Sequence, residues 1–178
     1  MAQSQTDIKA RYPLPVYNYR VAILLGGLAG LPAGAQLTDL AGGFSLISCS
    51  EVSGLKMEVS TVTYRHGFSF LAGFHIVPGL PQEVKLSIHK GVTLNGQYLS
   101  DWMKLSYPFV QPIPASLARK RDLLIDLCDE AGLPVIRWKV LKAMPISLEA
   151  PSFKADTNEV AFEKLDLIAH ELQVEYNP

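Results

Sequence analysis

A mainly β fold, an antiparallel barrel or sandwich of about seven strands with one flanking helix, is what this sequence predicts. Three observations predict it. Segments in which apolar and polar residues alternate recur along the whole chain, which is the period of a half-buried strand. Turn signals, not helical stretches, separate them, so a βαβ alternation and its parallel sheet are disfavoured. One stretch, 97–106, has clean helical spacing and is stopped by Pro108. The 178 residues suit one domain with a core large enough to fold without metals or disulfides.

The elements follow in order. Residues 1–11 are polar and read as a flexible N-terminus. Pro13 and Pro15 lack an N–H and bias the residues before them away from helix, so 12–15 is an extended entry. Tyr17, Tyr19, Val21 and Ile23 then alternate with Asn18, Arg20 and Ala22 as the first strand. The stretch 24–43 is rich in Gly, Ala and Leu and reads as a long loop. The overlapping run Val21–Ala35, with Arg20 before it, resembles the apolar core of a signal peptide, with Ala33-Gly34-Ala35 as a cleavage-like end. Yet Gly and Pro interrupt it, and the two prolines and alternating aromatics before it are unlike a short basic leader. Nor does its Gly-rich run have the spacing of a phosphate-binding loop.

Residues 44–49 return to strand character, and Ser53-Gly54 is a turn. Met57, Val59 and Thr61 lie on one phase, Val62 and Tyr64 on the other, which predicts a bulge or bend that curves a barrel. Residues 68–80 read as an aromatic, Gly-rich connection. Val84, Leu86 and Ile88 make a clear strand. In the helix, Tyr98, Trp102 and Leu105 form one apolar face. Strands around Leu123–Leu127 and Ile136–Val140 flank the turn Asp129-Glu130-Ala131-Gly132, a hairpin. Pro145 and Pro151 bracket an extended piece. In the tail two periods compete: Ala161, Leu165, Ile168 and Leu172 fit a helix, whereas Leu165, Leu167 and Ala169 fit a strand. Pattern and propensity alone favour the helix.

Composition restricts function. Apolar residues make up 48% and charged residues 19%, the balance of a globular chain. The net charge of -1 with no basic block gives no electrostatic footprint for nucleic acid, and near-neutrality favours self-association. Cys49 and Cys128 sit in apolar runs and read as small buried hydrophobes; a disulfide between them lacks any other sign of an oxidising compartment.

Catalytic patterns are missing. His66, His75, His89 and His170 form no HxH, HExxH or Cys-paired zinc spacing, so each reads as a solvated or locally bonded side chain. There is no Gly-x-Ser-x-Gly elbow. Asp129 and Glu130 fall at a hairpin tip, where nothing would tune their acidity. Trp102 and Trp138 suit core packing better than ligand stacking. Tyr17, Tyr19 and Arg20 offer aromatic and cationic groups, but equally a strand with a mixed face. These residues predict no enzyme, no metal and no cofactor.

Several blocks together resemble the tail tube family of contractile phages and contractile injection systems, whose fold is like that of haemolysin-coregulated proteins. They are Pro13-Leu-Pro-Val-Tyr-Asn-Tyr-Arg-Val21; Ser50-Glu-Val-Ser-Gly-Leu55 with Met57-Glu-Val and Val62-Thr-Tyr-Arg-His-Gly67; Val84-Lys-Leu-Ser-Ile-His-Lys-Gly-Val92 before Trp102; 122–132 with Trp138 and Ala143-Met-Pro145; and Pro151-Ser-Phe-Lys-Ala155 with Asn158-Glu-Val-Ala161 and Glu163-Lys-Leu-Asp-Leu167. Each block is only a strand with its turn, but their order covers most of the chain. The stretch 24–43 departs from the pattern as a loop insertion, and the Pro-rich run 109–115 is a lesser departure.

The resemblance implies one tail-tube domain over 1–178 and a structural role. Subunits form six-membered rings that stack into a rigid inner tube, which conveys cargo or DNA when a surrounding sheath contracts. Its implied partners are itself, the sheath, and baseplate or hub and tube-terminating proteins, with luminal cargo, no nucleic-acid site and no membrane anchor. The implied location is the producing cell's cytoplasm during assembly, then a virion or phage-tail-like particle released outside. A subunit or ring interface is expected at Tyr17, Tyr19, Arg20, Tyr64, Arg65, His66, Phe68 and Phe70. The resemblance also turns 160–174 into one long strand, with a bend near Glu163. A baseplate-proximal tube initiator of the same family and a small-ligand-binding barrel are the alternatives.

Overall fold

In a computed structural model, the residues described are 13–24, 43–65, 67, 73–93, 96–106, 120–156 and 159–177. They form ten strands and one helix: β1 (Tyr19–Leu24), β2 (Phe44–Ile47), β3 (Cys49–Ser53), β4 (Val59–Tyr64), β5 (His75–Pro81), β6 (Val84–Gly91), α1 (Tyr98–Ser106), β7 (Arg121–Cys128), β8 (Pro134–Glu149), β9 (Phe162–Ala169) and β10 (Glu171–Tyr176). All strand pairs are antiparallel. The fold class is the expected one. The strand count rises because 44–53 and 162–176 are each split in two and because β5 is a strand. The 24–43 insertion, the N-terminus 1–11 and the 109–115 run lie almost wholly outside the described residues, as do His66, Phe68 and Phe70.

Eight strands make one continuous sheet in the order β2-β1-β7-β8-β9-β6-β3, with β10 also on β8. The sheet folds over on itself at β8. The first half of this strand lies between β7 and β10, and its second half pairs with β9. The corner is at Lys142. Leu141 and Lys142 together face Asp122, between the pairs Leu123↔Val140 and Arg121↔Ala143. Such an extra residue bends a strand. Lys142 takes φ 53°, and its N–H donates to Asp122 Oδ1 at 2.7 Å. Strands that change sheets at a bulge close the corner of a barrel-like sandwich. The extended piece expected around Pro145 is therefore the far half of a sixteen-residue strand.

The tail is strand throughout, so the helix favoured by local pattern is incorrect. Leu165, Leu167 and Ala169 point into the core at period two; after His170 the buried phase shifts to Leu172. That phase shift puts the buried Leu172 at i+7 from Leu165, a helix-like spacing, while Ile168 lies on the other face of β9. The bend expected near Glu163 is at His170, whose N–H donates to Leu141 O at 3.1 Å beside the corner of β8.

The core fills the space between the two halves of the sheet. Val21, Ile23, Leu123, Ile125 and Val140 face Val84, Leu86, Ile88, Leu165 and Leu167. Helix α1 drops Leu99 and Trp102 into it, both essentially inaccessible. Leu105 is exposed instead, so the buried face is Tyr98, Leu99 and Trp102. Arg121 stacks its guanidinium 4.8 Å from the Tyr98 ring and 5.1 Å from Trp102. On the opposite face of β1 and β7, Ala22, Leu24 and Leu124 are buried in a second cluster with Phe44. The same face carries Asp126 and Arg137, directly opposed on β7 and β8 and both nearly inaccessible. Arg137 donates Nε–H to Oδ1 at 2.7 Å and Nη2–H to Oδ2 at 2.9 Å. This fork-to-fork geometry satisfies both carboxylate oxygens, which offsets the cost of desolvating the pair.

Two turns fix how the edges lie. At the β7–β8 hairpin, the Asp129 carboxylate accepts the N–H groups of Ala131 and Leu133 at 2.9 and 2.8 Å. Gly54 after β3 takes φ 86°, and a Cβ there would sit 2.3 Å from Lys85 O. Glycine alone permits that backbone approach.

Candidate assembly surface

Strands β4 and β5 do not join the main sheet. They form a separate two-stranded arm in which Val62↔Val77 and Tyr64↔His75 lie on one face and Thr63↔Ile76 on the other. The expected irregularity is present as a register shift between Val59 and Thr61, but it shapes this arm and not the barrel. Strand β5 replaces the expected connection. Pro78, Gly79 and Pro81 hid it, and proline is tolerated where a strand lies at a sheet edge. Val62 is 58% exposed and Ile76 60%, and Val59, Tyr64, Phe74, Val77 and Leu80 are also more than half exposed. A lone two-stranded ribbon is marginal in water. Covering five such side chains would contribute on the order of 10 kcal/mol, comparable to the cost of association.

The barrel supplies unpaired edges. Among the described residues, β2 is paired only with β1, β3 only with β6, and β10 only with β8. Beside β3 lies an open cleft of about 370 Å³, lined by Val16, Tyr19, Val52, Leu55, Leu127 and Trp138, with Glu51 at its lip. Tyr19 in its wall donates its hydroxyl to Cys49 O at 2.9 Å. Burial holds the Tyr19 phenol above its ordinary pKa.

The expected interface residues divide into two groups. Tyr17, Tyr19 and Arg20 lie at the start of β1, near the cleft. Tyr17 is 80% exposed, Tyr19 is half-buried in the cleft wall, and Arg20 donates to Gly132 O at the hairpin turn. Tyr64 and Arg65 lie on the arm, with the Arg65 guanidinium 5.9 Å from the Phe74 ring. Sequence patterns did not single out Ile76, Val77 and Leu80 on the arm or Glu51 and Leu55 at the cleft, and Trp138, expected in the core, packs against it while also lining the cleft. Alternation of His75, Val77 and Gly79 with Ile76, Pro78 and Leu80 was present, but the prolines disguised it.

Among the described residues, strand edges without a neighbour, an exposed arm and an open cleft are surfaces suited to contact with other subunits. Comparison with solved structures agrees. The chain resembles a chain of the PVC sheath–tube complex, an extracellular contractile injection system in its extended state, at TM-score 0.74 and 27% identity over 98% of this chain and 99% of that one. It also resembles a chain of the anti-feeding prophage tube-terminating cap, at TM-score 0.71 and 26% identity over 93% of each. Hcp1 from Flavobacterium johnsoniae shares the fold at TM-score 0.53 and 10% identity, over 90% of this chain and 96% of that one. No curated protein sequence matches. The family model described as T4-like virus tail tube protein gp19 matches residues 17–173. The chain belongs to that family and is a tail tube protein.

Proposed function

We propose that this chain is the repeating subunit of the inner tube of a contractile injection system, carrying no catalytic role. The observation that carries the reading is the end-to-end likeness to a chain of an extracellular sheath–tube complex. Tube terminator and cap structures of such systems are similar at 26–28% identity, whereas a gene transfer agent virion chain is 8% identical. In this reading the subunit forms six-membered rings. One heterologous contact closes the ring, and a second, non-closing contact stacks rings into a tube. Paired edges remove the aggregation hazard that free strands pose in a lone barrel.

The sheath lies outside the tube, a baseplate starts it and a terminator ends it. Contraction drives the tube through a target envelope with its cargo. Assembly in the producing cell's cytoplasm precedes release of the particle. Tyr17, Tyr19, Tyr64 and Arg65 contribute to contacts between copies. Copy number in purified particles tests this reading. A repeating tube subunit is present at six copies per ring along the full sheath; a single ring at the baseplate would identify an initiator and contradict the proposal.

A further inference from the structure

Three features of the surface fit one another, and their match rests on the tube reading. The first is the cleft beside β3, mostly apolar, with Ser50 and Glu51 as its polar lining; Glu51 is an exposed carboxylate for which no ion pair is formed among the described residues. The second is the edge of β3 that is unpaired among the described residues and forms one lip of that cleft. The third is the arm. It is exposed and largely apolar on both faces, and it has no carboxylate in 59–65 or 73–81, where its titratable side chains are Tyr64, Arg65 and His75.

From this we infer that the β4–β5 arm of one subunit docks into the β3 cleft of a neighbouring copy. The arm adds its edge to β3 as an extra strand, the mode in which main-chain hydrogen bonds give affinity and alternate side chains fill pockets. Tyr64 and Val62 occupy the space between Tyr19, Leu55 and Trp138. Arg65 meets Glu51 at the lip. A cleft walled by Trp and Tyr is the kind of site that accepts an aromatic anchor.

The occupant is a second copy and not the chain's own arm. Only residues 54–58 separate β3 from β4, and Gly54 holds their start against the backbone of Lys85 and Leu86. From there the arm runs out as a sheet of its own. Arm and cleft are different surfaces, so each copy offers one of each. That contact is heterologous and propagates from subunit to subunit, as a ring or a stack requires. The pairing also explains why an exposed arm so rich in Val, Ile and Tyr carries no acidic side chain. A carboxylate on it would face Glu51.

Charge reversal on the full-length chain tests the pairing. Glu51→Lys and Arg65→Glu each place like charges at the lip and raise the concentration needed for assembly about tenfold or more. The double variant, with the pair reversed, restores assembly. Both positions are exposed, so thermal melts of the dispersed subunit stay unchanged. A second measurement places a photo-crosslinker, p-benzoylphenylalanine, at Val62 and mixes labelled ¹⁵N chains with unlabelled ones. Cross-links between isotopes that map to peptides holding Leu55 or Trp138 support the inference. Rings whose Val62 cross-links map elsewhere, with Glu51→Lys indifferent, overturn the pairing and leave the tube reading standing. A parent chain that never assembles overturns the tube reading and this inference with it.

Discussion

Asp126 and Arg137 are the residues whose chemistry most constrains the barrel. Removing one member of a buried, doubly hydrogen-bonded pair leaves a stranded charge, which costs about 3–5 kcal/mol. Asp126→Ala therefore lowers the urea midpoint sharply, while Asp126→Leu with Arg137→Met recovers most of the loss; equal midpoints for the single variant and the parent would refute the role. Trp102, buried beneath α1, is the corresponding apolar anchor, and Trp102→Ala is expected to cost about 3–5 kcal/mol in the same melt. Cys49 gives a pH dependence. Burial pushes its thiol up to about 12 against the pull of Lys90, from an ordinary 9.0. The folded chain thus keeps a proton that the unfolded chain releases above pH 9.0. The thiol's contribution is whole below that pH and is lost as pH rises toward 12. The stability difference between the parent and Cys49→Ala consequently shrinks as pH rises from 9.0 toward about 12; a difference constant with pH would contradict the assignment. Trp102 was legible as core from helical spacing. The buried ion pair was not, because a charged residue on the second phase of a strand ordinarily marks a wet face. Here β1 and β7 are buried on both faces, with Ala22 and Leu124 beside the pair.

At the scale of elements, the corner of β8 decides the architecture. Lys142 sits in the left-handed region, which costs an L-residue roughly 1–2 kcal/mol, and the Asp122 carboxylate caps its N–H. Lys142→Gly relieves that strain and holds or raises the melting temperature. Lys142→Ile lowers it, because a β-branched side chain fits this backbone poorly. If the two variants melted alike, the corner would not be under strain. The elements legible in the sequence were β6, whose buried Val84, Leu86 and Ile88 alternate with a wetter face, and the β7–β8 hairpin, marked by its Asp129-Gly132 turn. Two others failed for physical reasons. β9 and β10 present opposite phases across His170, and two strands of shifted phase imitate a helix. β5 carries two prolines and a glycine in seven residues and is a strand because it lies in an arm with open edges. The tail tube resemblance corrected the first of these errors, since it placed strand where propensity placed helix.

For the whole molecule, the unpaired edges and the exposed arm make sense only in an assembly. Surface substitutions on the arm, such as Val62→Glu with Ile76→Glu, are expected to change subunit stability by less than about 0.5 kcal/mol each, since both side chains are already in water. They should nevertheless block assembly, because a charge placed in a covered apolar contact is costly to desolvate. Sedimentation of the variant as a folded monomer beside an assembled parent checks this; a variant that still forms rings would show that the arm lies outside the contacts. The central claim is that this chain builds a tube. Negative-stain electron microscopy of the purified full-length chain tests it most directly. The account predicts hollow rings with sixfold symmetry, or stacks of them, and a strictly monomeric species at high concentration would contradict it.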